Sequence, residues 1–152
     1  MHLTKKEHPF VLFYINKTYF IISCKYVLDI ERIEDNAELF YRDSSVCGLC
    51  NSYGRIITTV NLGGLLQLKP DAVTGKKGME YAGCREFILL QCSPLKALLV
   101  EHVVALVSFE EFIVKPRIPF VNQVVKGIYV TKESGDIVFE LDIPYLLSLS
   151  LE

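Results

Sequence analysis

Residues 54–66 read GRIITTVNLGGLL, and this stretch decides the fold because residues 135–147 repeat it as GDIVFELDIPYLL. Both stretches begin with a glycine, continue with a short run rich in β-branched and other apolar residues, and close on a pair of leucines. Such a run between turn signals is typical of a β-strand. A pattern that recurs in both halves of a chain indicates two copies of one structural unit.

The repeat extends outward from this strand. Just upstream, VCGL at 46–49 is echoed by VKGI at 125–128. Nearer the start of each half, two strand-like runs flank a polar turn, at 10–22 in the first half and at 87–100 in the second. Each copy is therefore predicted to read strand, turn, strand, short helix, long connection, strand, turn, strand.

About five short strands per copy suit a small closed barrel, because closure leaves few strand edges open. The sequence thus predicts a mainly β fold within one domain, 1–152, that contains two five-stranded barrels. The first subdomain is expected at about 9–75, with the C-terminal turns packed back onto it, and the second at about 84–140. Residues 69–83 combine proline, glycine and charge, which predicts an exposed connection and the first site of proteolytic cleavage.

A short helix is predicted from Ser23 to about Ile30. Serine is a favoured N-cap residue, and Val27 and Ile30 are three residues apart, which places them on one face of a helix. In the second half, Val103 and Leu106 repeat that spacing, so an equivalent short helix is expected there.

The composition excludes several classes of function. Sixteen basic residues against eighteen acidic ones give a net charge of −2, which argues against nucleic-acid binding because that needs a basic stripe. With 51% hydrophobic and 22% charged residues, the chain is typical of a globular protein. The best candidate for a membrane span, 87–107, is interrupted by a proline and by charged residues, so no direct membrane insertion is expected. The chain is expected to be cytoplasmic.

Cys47 and Cys50 raise the question of a redox dithiol or of half a zinc site. The segment is predicted to be a strand, in which residues three apart point to opposite faces, so both cysteines are expected to be small apolar fillers. A zinc site would need two more ligands, and no second pair stands at ligand spacing. The alternative from a different class is a thiol or metal protein that uses Cys47 and Cys50. No catalytic residue, metal ligand or cofactor is predicted.

The residues around the repeat resemble those of the CheW family, whose central pattern reads G-V-x-N-L-R-G-x-I-x-P-V-x-D-L. VLDI at 27–30 is similar to the family's V-x-E-I, and LVEHV at 99–103 is similar to its L-V-D-x-V. The resemblance covers about residues 9–149. Within 48–62, the residues that match the central pattern outright are Gly48, Asn51, Gly54, Ile56 and Leu62.

The resemblance implies two five-stranded, SH3-like barrels and an adaptor without catalysis, since CheW couples bacterial chemoreceptors to the histidine kinase CheA. One barrel would bind the regulatory domain of the kinase, and the groove between the barrels would take the cytoplasmic hairpin tip of a receptor. A near alternative is the same role in a type IV pilus or other non-flagellar chemosensory system. The partner-binding residues that the resemblance marks are Val27, Asp29, Ile30, Val46, Gly48, Asn51, Tyr53, Gly54 and Arg55.

The chain departs from the family pattern at three positions. Thr58 and Asn61 replace its proline and aspartate, and Tyr53 replaces the arginine that, in the family, pairs with the acid at the position of Asp29. A tyrosine cannot form a bidentate ion pair with a carboxylate. Arg55, two residues further along an extended strand, is therefore expected to neutralise Asp29. The alternatives are a hydrogen bond from the Tyr53 hydroxyl and an Asp29 that faces water.

Overall fold

The computed structural model of the chain describes residues 9–33, 38–41, 47–66, 84–115 and 123–149. In chain order, the strands and α-helices of these residues are β1 (Phe10–Ile15), β2 (Thr18–Ser23), β3 (Val27–Arg32), β4 (Glu38–Tyr41), β5 (Cys47–Ser52), β6 (Arg55–Asn61), α1 (Leu62–Leu65), β7 (Glu86–Leu90), β8 (Lys96–Val100), β9 (His102–Val107), β10 (Phe112–Lys115), β11 (Val125–Thr131), β12 (Ile137–Leu141) and α2 (Ile143–Ser148). Two short 3-10 helices lie at Cys24–Tyr26 and Phe109–Glu111. No helix within the described ranges is long and apolar enough to cross a membrane.

The chain forms two compact units. Unit 1 consists of the described residues of 9–14, 18–26 and 103–149. Its sheet has six strands in the order β10-β11-β12-β2-β1-β9, and β2 runs parallel to β12. Side chains from all six strands pack together, and they form a core that contains Phe10, Ile21, Val107, Phe112, Tyr129 and Val138.

Unit 2 consists of the described residues of 15–17 and 27–102. Its sheet also has six strands, in the order β3-β7-β8-β6-β5-β4, and β6 runs parallel to β8. The other strand pairs of this sheet are antiparallel. Its core is completely buried and contains Cys50, Ile57, Phe87, Leu89, Ala97 and Leu99.

The two sheets have the same architecture, strand for strand. Read from the opposite end, the order in unit 2 is β4-β5-β6-β8-β7-β3, which corresponds one for one to β10-β11-β12-β2-β1-β9 in unit 1. The register agrees as well, because Gly48 pairs with Thr59 and Gly127 pairs with Glu140. These are the positions that the sequence repeat equates. The prediction of two copies of one structural unit is therefore confirmed.

The compact units do not follow the two halves of the sequence. Unit 1 combines the β1–β2 hairpin of the first half with β9 to β12 of the second, whereas unit 2 combines β3 to β6 of the first half with the β7–β8 hairpin of the second. The subdomains expected at about 9–75 and 84–140 therefore differ from the observed units, and α2 belongs to unit 1. The physical reason is strand pairing, since β2 lies beside β12 and β8 lies beside β6.

The prediction of a mainly β fold is confirmed, but each sheet has six strands rather than five. In the described residues, the strand order of each sheet runs between two open edges. The short helix predicted from Ser23 to about Ile30 is wrong, because only Cys24–Tyr26 is helical and Val27–Arg32 is strand β3. In the second half, Val103 and Leu106 lie in strand β9. The predicted exposed connection at 69–83 lies outside the described residues.

Both copies of the repeat end in a short helix that begins directly after the last strand. Asp142 caps α2, since its Oδ1 accepts a hydrogen bond of 2.9 Å from the backbone N–H of Tyr145. Asn61 holds the equivalent position before α1 in the other copy. Asparagine and aspartate are both favoured N-cap residues, which explains why this position is polar in each copy although its neighbours are apolar.

Candidate partner-binding site

The candidate residues lie in two regions of unit 2, namely strand β3 and the β5–β6 hairpin. Val46 lies outside the described residues. The others are placed as follows: Val27, Asp29 and Ile30 on β3, Gly48 and Asn51 on β5, Tyr53 and Gly54 in the hairpin turn, and Arg55 at the first position of β6.

The β5–β6 hairpin turns in two residues, Tyr53 and Gly54. Both have a positive φ, 53° and 77°, which is the combination that a two-residue turn needs in order to match the twist of its strands. Glycine adopts this conformation freely, and there is open space around the Gly54 Cα, so φ rather than crowding favours glycine here. Tyr53 adopts it at a steric cost. Its side chain is 73% exposed, so the turn presents an aromatic ring at the tip of the hairpin.

The two faces of the β5–β6 hairpin differ sharply in exposure. Cys50 pairs with Ile57, and both side chains are buried in the core of unit 2. On the opposite face, Leu49 and Ile56 are 46% and 63% exposed. We call Leu49, Tyr53 and Ile56 the hairpin patch. Leu49 and Ile56 are held by the ladder of β5 and β6, and Tyr53 lies in the tight turn that joins these strands, so the patch is presented on a rigid support.

Strand β3 contributes a further exposed apolar side chain, that of Leu28, through a β-bulge. Val27 pairs with Leu90 and Asp29 pairs with Leu89, so Leu28 is the extra residue between them. A bulge of this kind redirects the side chain of the strand residue at which it occurs. Val27 remains buried, whereas Leu28 is exposed. The bulge therefore turns an apolar residue outward on an edge strand of the sheet.

Arg55 and Glu31 form an ion pair that joins two distant strands of the sheet, with Arg55 Nη2 at 2.5 Å from Glu31 Oε1. In strand order, β7 and β8 separate β3 from β6. In a flat sheet, three interstrand spacings would hold these strands about 14 Å apart. Side chains stand roughly perpendicular to a sheet, so the contact requires the sheet to curl. Glu31 pairs with the core residue Phe87, which places the ion pair at the rim of the core.

The expected contact between Arg55 and Asp29 is wrong. Asp29 is exposed, and its Oδ1 accepts a hydrogen bond of 2.8 Å from the backbone N–H of Ile30. Arg55 forms its ion pair with Glu31 instead. Sequence reasoning missed Glu31 because the segment was predicted to be a helix. With β3 read as a strand, residues 29 and 31 share a face, and both would have been candidates.

Cys50 is a buried core residue, which confirms the prediction of an apolar filler at this position. The side chain of Cys47 is not among those described. In the described parts of the chain, no group of three or more His, Cys, Asp and Glu side chains could hold a metal ion. Burial, together with the nearby charge of Glu101, raises the pKa of the Cys84 thiol to about 12. That thiol is therefore protonated at neutral pH, which is the unreactive form of cysteine.

Comparison with known proteins agrees with this architecture. The solved structure of the scaffolding protein TtCheW from Thermoanaerobacter tengcongensis is similar, with a TM-score of 0.62 over 94% of each chain and 15% sequence identity. At this identity the likeness concerns the fold. No curated protein matches the chain in sequence. The family model of the CheW-like domain matches residues 9–150. Since this match spans nearly the whole chain and agrees with the observed fold, the chain belongs to the CheW-like domain family.

Proposed function

We propose that this chain is a cytoplasmic signalling adaptor that couples a chemoreceptor to a CheA-type histidine kinase through protein–protein contacts, without catalysis of its own. The observation that carries the proposal is the hairpin patch, an exposed apolar surface on a CheW-like domain. Apolar and aromatic side chains clustered on a protein surface are typical of the centre of a protein interface. The similar protein TtCheW is itself described as a scaffolding protein.

The first partner is the regulatory domain of the kinase, bound through β3 and the β5–β6 hairpin. Tyr53 is the most exposed large apolar side chain of the described residues, and aromatic residues are enriched among those that dominate binding energy. Charged groups of both signs lie on β3 and at the start of β6, namely Asp29, Arg32 and the Arg55–Glu31 pair. An apolar centre with charged groups of both signs suits a folded protein as the partner better than a polymer whose charges all have the same sign.

The second partner is the cytoplasmic hairpin tip of a chemoreceptor. Such a tip is helical, and helices bind through a row of apolar anchors to an apolar surface. The same chemistry would serve a receptor of a type IV pilus or another non-flagellar chemosensory system. Binding assays with the receptor tips encoded in the same genome would distinguish these pathways.

The repeat supplies a matched pair of variants that tests the site for the kinase. Ile56 and Ile137 hold equivalent positions in the two copies and are similarly exposed, at 63% and 57%. Ile56→Ser removes the centre of the hairpin patch, and Ile137→Ser makes the same chemical change in unit 1. Affinity for the purified kinase regulatory domain would be measured by isothermal titration calorimetry for both variants, with urea unfolding as a check of stability.

We expect Ile56→Ser to weaken binding of the kinase domain at least about fivefold, because the interface residues that contribute more than about 1 kcal/mol cluster near the centre. Ile137→Ser should leave the affinity within about twofold. Equal losses in both variants would contradict the location of the site. If neither the kinase domain nor any receptor tip binds the unaltered chain, the proposed function is wrong, although the fold stands.

A further inference from the structure

Each of the two units contains strands from both halves of the chain. We call the described residues of 9–66 the N-terminal repeat and those of 84–149 the C-terminal repeat. The strands that unit 1 takes from the N-terminal repeat are β1 and β2, and the strands that unit 2 takes from the C-terminal repeat are β7 and β8. Each hairpin thus completes the sheet of the other repeat.

Both repeats contribute side chains to each of the two described cores. In unit 2, Cys50 and Ile57 come from the N-terminal repeat, whereas the remaining four residues of the core come from the β7–β8 hairpin. In unit 1, Phe10 and Ile21 come from the β1–β2 hairpin and pack against residues of the C-terminal repeat. Removing either repeat would expose the buried side chains of both cores to water, which is the largest cost that a folded chain can incur.

The two hairpins occupy equivalent places in their sheets, each between two strands of the other repeat, and we call these places slots. β1–β2 lies between β9 and β12, and β7–β8 lies between β3 and β6. In both slots one strand of the hairpin pairs in parallel with the other repeat, and the pairs include Ile21 with Glu140 and Ala97 with Thr59. A slot with strands on both sides satisfies the backbone hydrogen bonds of both edges of the hairpin.

A polar contact holds the tip of each hairpin to the other repeat. At the turn of β1–β2, the backbone N–H of Asn16 donates a hydrogen bond of 2.9 Å to Glu101 Oε1, which lies just before β9. At the turn of β7–β8, Gln91 Nε2 donates a hydrogen bond of 3.2 Å to the carbonyl oxygen of Val27, the first residue of β3. Both tips are therefore fixed at the residue where the other repeat enters its next strand.

We propose that the two sequence repeats are a reciprocal binding pair, in which each repeat binds the N-terminal hairpin of the other and needs no covalent link to keep it. The ligand of each slot is an apolar β-hairpin with a polar tip, and its occupant is the hairpin of the other repeat. The chain therefore behaves as two interlocked halves rather than as two domains in sequence. The pairing of the repeats does not depend on the proposed signalling partners.

The test cuts the full chain after it has folded. A specific protease site is inserted between Thr74 and Gly75, in the segment that joins the repeats, and the purified protein is cleaved completely. The cleaved and uncleaved forms are then compared by size-exclusion chromatography with light scattering, and by urea unfolding at several protein concentrations. Uncleaved protein with the same insertion is the matched control.

We expect the two fragments to elute together at the mass of the intact chain, about 17.3 kDa plus the inserted site, and to separate only in denaturant. Unfolding of the cleaved form should depend on concentration, since it now releases two molecules. Each tenfold increase in concentration should raise its free energy of unfolding by about 1.4 kcal/mol, whereas the control should not change.

Fragments that separate under native conditions, whether folded or unfolded, would overturn the proposal. A second measurement starts from fragments that have been separated in denaturant and then diluted alone or together. The far-ultraviolet circular dichroism of the intact protein should return only in the mixture. If either fragment alone regains its full share of this signal as a monomer, the repeats do not depend on each other and the proposal is wrong.

Discussion

The ion pair between Arg55 and Glu31 offers the sharpest test of how unit 2 is held in its curled form. We expect Arg55→Ala and Glu31→Ala each to lower the free energy of unfolding by about 1 kcal/mol. The double variant should lose clearly less than the sum of the two. The coupling energy that a double-mutant cycle extracts should be about 0.5–1 kcal/mol.

This magnitude follows from the exposure of the two side chains. Two unit charges about 4 Å apart attract each other by about 4 kcal/mol at the effective dielectric constant near a protein surface. Arg55 and Glu31 are 41% and 25% exposed, so water and salt compete for both groups. Desolvation and the ordering of two long side chains offset most of the attraction, which leaves a net value at the upper end of that for exposed pairs.

The assay is urea unfolding of the four proteins at low salt and again in 1 M NaCl, where the Debye length falls to about 3 Å. The coupling energy should decrease markedly in high salt. Arg32→Ala is the control, since Arg32 is an exposed arginine on the same strand, and it should change stability by less than about 0.5 kcal/mol. A coupling energy within about 0.3 kcal/mol of zero at low salt would refute the reasoning, because that is the error of additivity itself.

Three further predictions concern backbone strain, a buried hydroxyl and a buried thiol. Lys17 has a φ of 60° in the turn between β1 and β2, a conformation that glycine adopts without steric cost, so Lys17→Gly should raise the free energy of unfolding by about 1 kcal/mol. Lys25→Gly, in a short helix, is the control and should not raise it. A lower free energy of unfolding for Lys17→Gly in urea unfolding would contradict this reasoning. The Thr59 hydroxyl is buried and has no hydrogen-bond partner among the described residues, so Thr59→Val should stabilise the protein by about 1 kcal/mol, and a destabilised variant in the same assay would show that the hydroxyl is satisfied. Burial and Glu101 raise the pKa of Cys84 to about 12, so the folded protein keeps a proton that the unfolded chain releases above its usual pKa of 9.0. The free energy of unfolding should therefore fall as pH rises from 9 towards 12, by up to about 1.4 kcal/mol per pH unit, and Cys84→Ala should remove this part of the slope in urea unfolding at pH 8 to 10; an unchanged slope would assign it to other groups.

The repeated pattern was sufficient to predict the class of fold. Glycine, alternating apolar residues and a leucine pair recur at 54–66 and 135–147, and these segments occupy equivalent strands with equivalent register. Local patterns of this kind carry the fold because every strand of a half-buried sheet must alternate. The resemblance to the CheW family reached the same fold from the motif around Gly48 to Leu62, and the family match over 9–150 confirms it.

The candidate site was predicted less well than the fold, and the errors can be traced to individual residues. Val27 and Ile30 are three apart, and so short a pattern does not distinguish a helix from a strand. The bulge at Leu28 adds to the ambiguity, because it interrupts the alternation by which β3 could have been identified. The pairing of Arg55 with Glu31 depends on the curl of the whole sheet, which no local pattern contains.

The exchange of hairpins between the repeats is favoured by the shortness of the link between β8 and β9, which is the single residue Glu101. The other link, Cys24–Tyr26 between β2 and β3, is three residues long and forms a short 3-10 helix. A hairpin between neighbouring strands needs a turn of about two residues with suitable φ, which a single residue cannot provide. β9 therefore cannot fold back beside β8, and the chain must continue into the other sheet. The repeat predicts two equal copies, but the position of one residue between two strands decides which copy completes which sheet. Strand boundaries are the part of a fold that local sequence determines least, so the copies could be predicted and their interlocking could not.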